Sequence, residues 1–179
     1  MTVPLVLTSM ADMSELKIRN IAGQGADAQA LLLELNNAHA RQTSLLTRER
    51  WDQLTATAFA ADCVDRAAAL LIAFDQAADY DSPNFVWFRE RYTRFVYVDR
   101  IVVGEDHQGR GLARRLYEGL FRKARVAGHD RVVCEVNSLP PNPESDAFHE
   151  RLGFEEVGRA DLDSGAKSVR YLMRKLEGS

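Results

Sequence analysis

A glycine-punctuated turn in the stretch Val103 to Tyr117, VGEDHQGRGLARRLY, has residue types that suit the binding of a phosphate. Gly109 and Gly111 have no Cβ, so backbone N–H groups beside them can come close to a bound anion. If a helix begins here, its first N–H groups are unpaired and its dipole is positive at this end. The turn therefore predicts a site for a pyrophosphate.

The residues on either side of this turn predict a strand before it and a helix after it. The strand is Phe95 to Val103, FVYVDRIVV, which is rich in β-branched and aromatic residues and ends at Gly104. The helix begins near Gly109, where leucines and then Phe121 recur at spacings of three and four with charged residues on the other face. A strand-turn-helix unit would hold the N–H groups of the turn in one direction.

Two common phosphate-binding motifs do not match this turn. The P-loop motif needs a lysine and a hydroxyl residue after its last glycine, but Arg110 and Gly111 stand there. The dinucleotide-binding motif GxGxxG needs a third glycine where Arg114 stands. The pattern that remains is Q-x-x-G-x-A, formed by Gln108, Gly111 and Ala113.

This pattern, directly after a strand that ends in I-V-V, resembles the acetyl-coenzyme A loop of the GNAT superfamily of N-acetyltransferases. A second segment, Asn142 to Phe154, NPESDAFHERLGF, is similar to the family's C-terminal helix N-x-x-[AS]-x-x-[FL]-[YH]-x-x-x-G-F. The two segments come in the family order, with the strand-like RVVCEVN between them. The resemblance covers Phe95 to Leu176 and implies a GNAT-like fold with acetyl-CoA as the cosubstrate.

The pattern of elements along the chain predicts one α/β (α+β) domain, because 179 residues suit a single core and no repeat or linker divides them. The predicted order is β-α-α-β-β-β-α-β-α-β-β, a mixed and mostly antiparallel central sheet flanked by helices. Thr47 and Asn142 are expected at helix N-termini. Residues 1–14 are expected to form a loose leader, and residues 15–179 the acyl-CoA N-acyltransferase domain.

The composition argues against a nucleic-acid-binding protein, a membrane protein and a metalloprotein. A net charge of -3 without a basic face gives no reason to expect nucleic-acid binding. The apolar start MTVPLVLTSM is too short to span a bilayer and lacks a basic segment before it. Cys63 and Cys134 lie in apolar runs, which predicts free thiols in a reducing cytoplasm, and the histidines lack metal-ligand spacing. We therefore expect a cytoplasmic protein with no membrane or metal partner, and leave a homodimer open.

The family resemblance implies which residues bind the cosubstrate. The main chain of the turn forms the phosphate cradle, and the strand before it presents backbone groups to the pantetheine arm and the thioester. A backbone N–H of Val102 or Val103 is then the oxyanion donor. The implied cosubstrate-binding residues are Ile101, Val102, Val103, Gln108, Gly109, Arg110, Gly111, Leu112, Ala113 and Asn142.

Acetyl transfer to an amine requires an unprotonated nitrogen, although an alkylammonium has a pKa of about 10.4. A general base and an acid for the leaving thiolate are therefore needed, together with the oxyanion donor. Many relatives have a glutamate where this chain has Tyr97, and a tyrosine is a poor base at neutral pH. Asp99, two residues further on, and Glu135, on the facing strand, are the alternatives that the sequence leaves open.

The acid position also departs from the family pattern. Relatives commonly have a tyrosine after the residue that corresponds to Phe148, and this chain has His149. An imidazole with a pKa near 6.5 can serve as the acid, although a histidine on a short helix can also be a hydrogen-bonded core residue. Cys134 is better explained as a buried strand residue than as a nucleophile, so direct transfer in a ternary complex is expected.

The segment Ala77 to Thr93 is long for a connection and concentrates aromatic and acidic residues. We expect it to form a wall of the acceptor pocket, in which Trp87, Phe88 and Tyr97 bind the acceptor, and the alternative is an aromatic cover for the sheet. The sequence thus indicates an N-acetyltransferase that acts on a primary amine of a small molecule or peptide. The alternative function is a non-catalytic acyl-CoA-binding or sensing domain, because the family's glutamate and tyrosine are both missing.

Overall fold

A seven-stranded sheet is the centre of the computed structural model, which describes residues 16–41, 43–162 and 165–177. The strands are β1 (Ile18–Asn20), β2 (Ala60–Val64), β3 (Ala69–Asp75), β4 (Val96–Val103), β5 (Arg131–Leu139), β6 (Glu155–Leu162) and β7 (Lys167–Lys175). The helices are α1 (Ala26–Ala38), α2 (Arg48–Thr57), α3 (Pro83–Arg89), α4 (Leu112–Val126) and α5 (Pro143–Arg151). The strand order is β1-β2-β3-β4-β5-β7-β6. The expected leader, residues 1–14, lies outside the described residues.

The predicted order of elements is confirmed, and the structure adds the helix α3 within the segment that was treated as a loop. Pro83 occupies the first turn of α3, where its fixed φ suits a helix and its missing N–H needs no partner. Phe85 and Phe88, three residues apart, are both fully buried. Packing of these two rings on the sheet stabilises a helix that would be too short to form alone.

Side-chain caps fix the starts of two helices as the sequence predicted. Thr47 accepts a hydrogen bond from the backbone N–H of Arg50 at 3.2 Å, and α2 follows it. Asn142 accepts a hydrogen bond from the backbone N–H of Ser145 at 3.2 Å, and α5 begins at Pro143. Each cap satisfies an N–H group that has no partner inside the helix.

The helices cover the sheet in two layers, one on each face. α4 and α5 pack on one face, where Leu116 and Leu120 of α4 lie among buried strand residues. α1, α2 and α3 pack on the other face, where Leu32 and Trp51 belong to a second buried cluster. Burial of a side chain of this size contributes about 1.5–3 kcal/mol relative to exposure. No helix in the described ranges has the length and apolarity needed to cross a bilayer.

β4 and β5 separate near the middle of the sheet. They pair in parallel only at Val96 with Val132 and at Tyr97 with Val133, although both strands continue for several residues. β7 holds the other side of β5 along its whole length, from Arg131 to Leu139. The gap therefore opens towards the C-terminal ends of β4 and β5, while β3 and β7 hold the outer edges of the two strands.

A bulge in β4 lies beside this gap. Ile72 pairs with Arg100 and the next residue, Ala73, pairs with Val98, so Asp99 is an extra residue in β4. Without a bulge, consecutive side chains would point to opposite faces of the sheet. With it, Asp99 and Arg100 both reach groups from the α1 to α3 layer.

Candidate active site

A cleft of about 1160 Å³ opens where β4 and β5 separate. The predicted cosubstrate-binding residues all line it: Ile101 to Val103, Gln108 to Ala113 and Asn142. The proposed catalytic residues Asp99, Glu135 and His149 also line it. The structure thus brings together residues from β4, α4, β5 and α5 that are far apart in the sequence.

The turn between β4 and α4 has the backbone conformation that an anion site requires. Gly109 and Gly111 have φ angles of 71° and 73°, in the left-handed region that favours glycine. Gly111 is the N-cap of α4 and no side chain caps this end, so the first N–H groups of the helix are left for a ligand. A Cβ on either glycine would meet no protein atom within 4 Å and would occupy cleft space. The turn fits a pyrophosphate.

Arginine side chains surround the cleft near this turn. Arg110 and Arg114 follow the glycines, and Arg151 at the end of α5 also lines the cleft. Arg114 and Glu118 form an exposed pair at 3.9 Å, which contributes little to stability. Guanidinium groups bind phosphate oxygens through paired N–H donors, so this side of the cleft favours a ligand with several phosphates.

Glu135 lies two residues beyond Val133, at the point where the strands part. Its Oε1 accepts hydrogen bonds from Asn84 Nδ2 at 2.9 Å and from the Tyr97 hydroxyl at 3.1 Å. Its Oε2 is buried and has no hydrogen-bond partner among the described residues. Burial raises the pKa of Glu135 to about 7, and the nearby charge of Asp99 adds to the rise. A carboxylate with one unbonded oxygen and this pKa has the properties of a general base.

Asp99 differs from Glu135 because both of its oxygens have partners. Oδ1 accepts a hydrogen bond from the Tyr80 hydroxyl at 2.5 Å, and Oδ2 accepts one from Arg100 Nε at 2.6 Å. The side chains of Asp99 and Arg100 are only 6% and 3% exposed, and Arg100 also donates to Asn36 Oδ1 at 2.9 Å. Asp99 is thus a member of a buried ion pair. Of the two alternatives, the geometry favours Glu135 as the base.

The amide of Asn84 is oriented by a second hydrogen bond. The Tyr171 hydroxyl donates to Asn84 Oδ1 at 3.1 Å, so the Nδ2 atom is the one that faces Glu135. The ring of Tyr171 in turn stacks on Trp87 at a centroid distance of 4.1 Å. α3 therefore supports the carboxylate through a chain of packed and hydrogen-bonded side chains.

Trp87 and Phe88, which were predicted to bind the acceptor, do not line the cleft. Phe88 is fully buried in the core beneath α3, and Trp87 lies between Tyr171 and the guanidinium of Arg91, whose Cζ is 3.9 Å from the indole. The cleft is lined instead by an earlier part of the same segment, Tyr80 and Ser82 to Asn84. Part of the segment thus lines the cleft, while Trp87 and Phe88 lie behind that part and support it.

Gly158 of β6 makes room for the indole of Trp87. A Cβ at this position would lie 2.5 Å from Trp87 Cζ2, so Gly158→Ala should displace the indole from Tyr171. We expect the free energy of unfolding to fall by about 1–3 kcal/mol, the usual cost of overpacking. Urea unfolding measures this. The control is Gly119→Ala in α4, where no neighbour is closer than 3.9 Å and helix propensity should raise stability. Equal effects of the two changes would contradict the tight packing.

His149 is 3% exposed, and both of its ring nitrogens have partners. Nδ1 lies 2.8 Å from the carbonyl oxygen of Ser145, and Nε2 lies 2.8 Å from the Tyr117 hydroxyl. A carbonyl can only accept, so Nδ1 carries the proton and Nε2 accepts from Tyr117. Burial lowers the pKa of His149 below its ordinary value. The imidazole is therefore neutral near pH 7.

The sequence did not mark Tyr117 as a residue of the cleft, and it placed Tyr80 and Asn84 in the wall segment without showing which groups they contact. Tyr117 is a polar group within the apolar stripe of α4, and that position was a signal that could have marked it. Asn84 and Tyr80 gave no such signal, because their partners Glu135 and Asp99 are 51 and 19 residues away in the chain. Only the folded sheet shows that these groups meet.

The chain matches a family model over residues 48–154, and the description of that model is the acetyltransferase (GNAT) family. The matched span includes both separating strands and the glycine turn. The L-methionine sulfoximine/L-methionine sulfone acetyltransferases of Pseudomonas aeruginosa and Pseudomonas paraeruginosa are each 28% identical over 154 residues. These alignments cover 82% of this chain and 85% of each relative.

Solved structures have the same fold at low sequence identity. One is a chain of the NatC complex bound to Gag peptide and CoA, with a TM-score of 0.68, 14% identity, and coverage of 91% of this chain and 99% of that chain. Another is the GNAT-family acetyltransferase of Streptococcus pneumoniae, with a TM-score of 0.65, 19% identity, and coverage of 91% and 100%. The fold and the matched span define an acetyltransferase. The chain belongs to the GNAT family.

Proposed function

We propose that this acetyltransferase transfers the acetyl group of acetyl-CoA to the primary amine of a small molecule, directly and in a ternary complex. The observation that carries the proposal is the carboxylate of Glu135, which lines the cleft where β4 and β5 part and whose buried Oε2 has no partner among the described residues. A buried carboxylate oxygen without a donor is costly unless a ligand supplies one. An ammonium group of an acceptor would supply it.

The residues around the cleft fit the cosubstrate. The left-handed glycines and the uncapped start of α4 suit the pyrophosphate, and the backbone of β4 from Ile101 to Val103 suits the pantetheine arm. Acetyl-CoA supplies an activated thioester, whose carbonyl carbon is the electrophile. A backbone N–H of Val102 or Val103 on the gap side would stabilise the oxyanion that forms during attack.

Glu135 would remove the proton from the amine. Its pKa of about 7 means that it is largely ionised slightly above neutrality, where it can accept a proton that the attacking nitrogen must lose. The hydrogen bonds from Asn84 and Tyr97 hold Oε1 and leave Oε2 without a donor among the described residues. Tyr97, predicted to bind the acceptor, thus serves the site by orienting the base.

The charge of the cleft and the names of the relatives both support a small amine as the acceptor. Asp99 is balanced by Arg100, so Glu135 is the carboxylate of this wall that attracts a cation. The Pseudomonas relatives carry the names of acetyltransferases for methionine sulfoximine and methionine sulfone, which are small molecules with a primary amine. A small amine is therefore our first choice, ahead of a peptide terminus.

An amine panel tests the proposal. The purified protein and acetyl-CoA are mixed with methionine sulfone, methionine sulfoximine, a diamine and a short peptide, and CoA release and the acetylated product are both measured. We expect acetylation of at least one small amine, and none of the analogue in which a hydroxyl replaces the amine. If acetyl-CoA binds but no amine of a wide panel is acetylated, the protein is an acyl-CoA-binding domain instead.

A further inference from the structure

Tyr117 and His149 form a buried pair on the opposite side of the gap from Glu135. The Tyr117 side chain is fully buried within the protein and lines the cleft from α4. Tyr117 and Cys134 belong to the same buried cluster, and burial, followed by the effect of Cys134, raises the pKa of Tyr117. Cys134 is the first β5 residue beyond the last pair with β4, that of Val133 with Tyr97. The phenol is therefore at the point where the strands part.

The faces of β5 separate this pair from the base. Cys134 packs in the cluster beneath α4 and α5, whereas the next residue, Glu135, bonds to Tyr97 and Asn84 from the other layer. Adjacent residues of a strand point to opposite faces, so these contacts follow from the strand geometry. A thioester held in the gap would have Glu135 on one side and the Tyr117 to His149 pair on the other.

The hydrogen bonds make the Tyr117 phenol, and not the His149 imidazole, the group that can donate a proton to a ligand in the cleft. The Nδ1–H of His149 donates a hydrogen bond to the carbonyl oxygen of Ser145, and Nε2 accepts one from Tyr117. Tyr117 carries the proton on its oxygen, and the rings of Phe121, Phe148 and Phe154 surround it. The phenol is thus rigidly placed and protonated in the resting protein.

We propose that Tyr117 donates the proton to the thiolate of the departing CoA, and that His149 is a positioning residue that holds the Tyr117 hydroxyl. This inference rests on the function proposed above. It moves the acid from α5, where the resemblance to the family implied it, to α4.

In the proposed step, the sulfur of the departing CoA takes a proton from Tyr117. The carbon to sulfur bond breaks and its electron pair stays on sulfur, while the O–H bond of Tyr117 breaks and an S–H bond forms. An acceptor that binds as an ammonium loses two protons in all: one passes to solvent before attack, and Glu135 takes the other and passes it through water in the cleft to the phenolate that remains. CoA leaves as the thiol and both side chains return to their first state.

The charges around the pair agree with this assignment. Asp146 of α5 faces His149 but is paired with Arg170 of β7, while Cys134 and Glu135 face Tyr117 from β5. Burial lowers the pKa of His149 and raises the pKa of Tyr117. Above about pH 7, where Glu135 is ionised, Tyr117 still holds its proton and His149 holds no extra one. A protonated Tyr117 and an ionised Glu135 can therefore be present at the same pH.

Tyr117→Phe tests the proposal with little loss of packing. We expect kcat to fall by about 10²-fold or more, the usual contribution of a positioned acid, while the affinity for acetyl-CoA stays within about twofold. The control is Tyr92→Phe, because Tyr92 lies outside the cleft beside Arg131. A readout that a structural role would not change is a series of increasingly fluorinated tyrosines at position 117. Because burial raises the pKa of this phenol, strong fluorination is needed to bring the alkaline limb of kcat into the measurable range, and the limb should then move to lower pH with each added fluorine.

His149 variants separate positioning from acid catalysis. His149→Gln keeps a carbonyl oxygen that can accept from Tyr117, so it should retain more activity than His149→Phe. Wild-type kcat in Tyr117→Phe, or an alkaline limb unmoved by the fluorinated residue, would overturn the proposal although the wild-type protein acetylates its amine. Absence of acetylation by the wild-type protein in the same assay would instead overturn the proposed function.

Discussion

Replacement of Glu135 by glutamine is expected to lower kcat with a small amine by about 10²- to 10⁴-fold, the range for loss of a general base. The glutamine Oε1 can still accept the hydrogen bonds of Tyr97 and Asn84, so the wall should keep its shape. What the variant loses is the ability to take a proton at the Oε2 position. Steady-state kinetics with saturating acetyl-CoA measures the loss.

The dependence of kcat on pH provides a second test of Glu135 as the base. The base works when ionised, so wild-type kcat should fall as pH drops through about 7, and this limb should be absent in the variant. Glu144→Gln is the matched control, because Glu144 also lines the cleft but is exposed at the start of α5. Retention of both the rate and the acidic limb by the Glu135 variant would show that another group is the base.

Stability provides an independent check on the same carboxyl. Its folded-state pKa of about 7 is above the ordinary value of 4.5 for this side chain, so the folded protein binds the proton more tightly than the unfolded chain. The stabilisation of the folded protein by this tighter proton binding is fully present below the unfolded pKa and is lost as pH rises through about 7. Glu135→Gln should therefore increase the Tm relative to wild type more at about pH 8 than at about pH 5.

Gly111→Val is expected to weaken the affinity for CoA by about 10²-fold or more, because a β-branched side chain would stand where the pyrophosphate approaches the backbone. The φ of 73° at Gly111 adds strain, since a β-branched residue is rarely found in the left-handed region. Calorimetric titration with CoA measures the affinity. Thermal unfolding shows whether the variant keeps its fold.

Gly153→Val separates backbone strain from the loss of the anion site. Gly153 has a φ of 78° and, like Gly111, would place a Cβ with no protein atom within 4 Å, but it lies after α5 and does not line the cleft. The control should lose a similar amount of stability and bind CoA normally. Equal CoA affinity in both folded variants would mean that the turn is not the phosphate cradle.

The elements with a local pattern could be predicted from the sequence. The alternation of β4, the apolar stripe of α4 and the glycines between them are all contained in one continuous stretch, and the structure places them as expected. α3 was missed because its seven residues show barely two turns of periodicity. The pair Ser82 and Pro83 before two phenylalanines was the available signal.

The parts of the site that depend on long-range contacts could not be predicted. The sequence offered His149 as an acid, but its partner Tyr117 is 32 residues away, and that contact decides which atom carries the proton. In the same way, the sequence predicted the aromatic segment as a wall of the acceptor pocket, yet only the packing of Trp87 on Tyr171 shows that this indole lies away from the cleft. Residue type limits the chemistry, and contacts determine the roles.

The register of β5 has a consequence for evolution and engineering. Cys134 and Glu135 point to opposite faces of the sheet, towards the two halves of the site. Deletion of one residue before them would exchange the faces to which these side chains point. Natural variants of this enzyme should therefore keep the length of β5 fixed while its neighbours drift. A library that aims at new acceptors should vary Tyr80 to Asn84 and leave the spacing of β5 untouched.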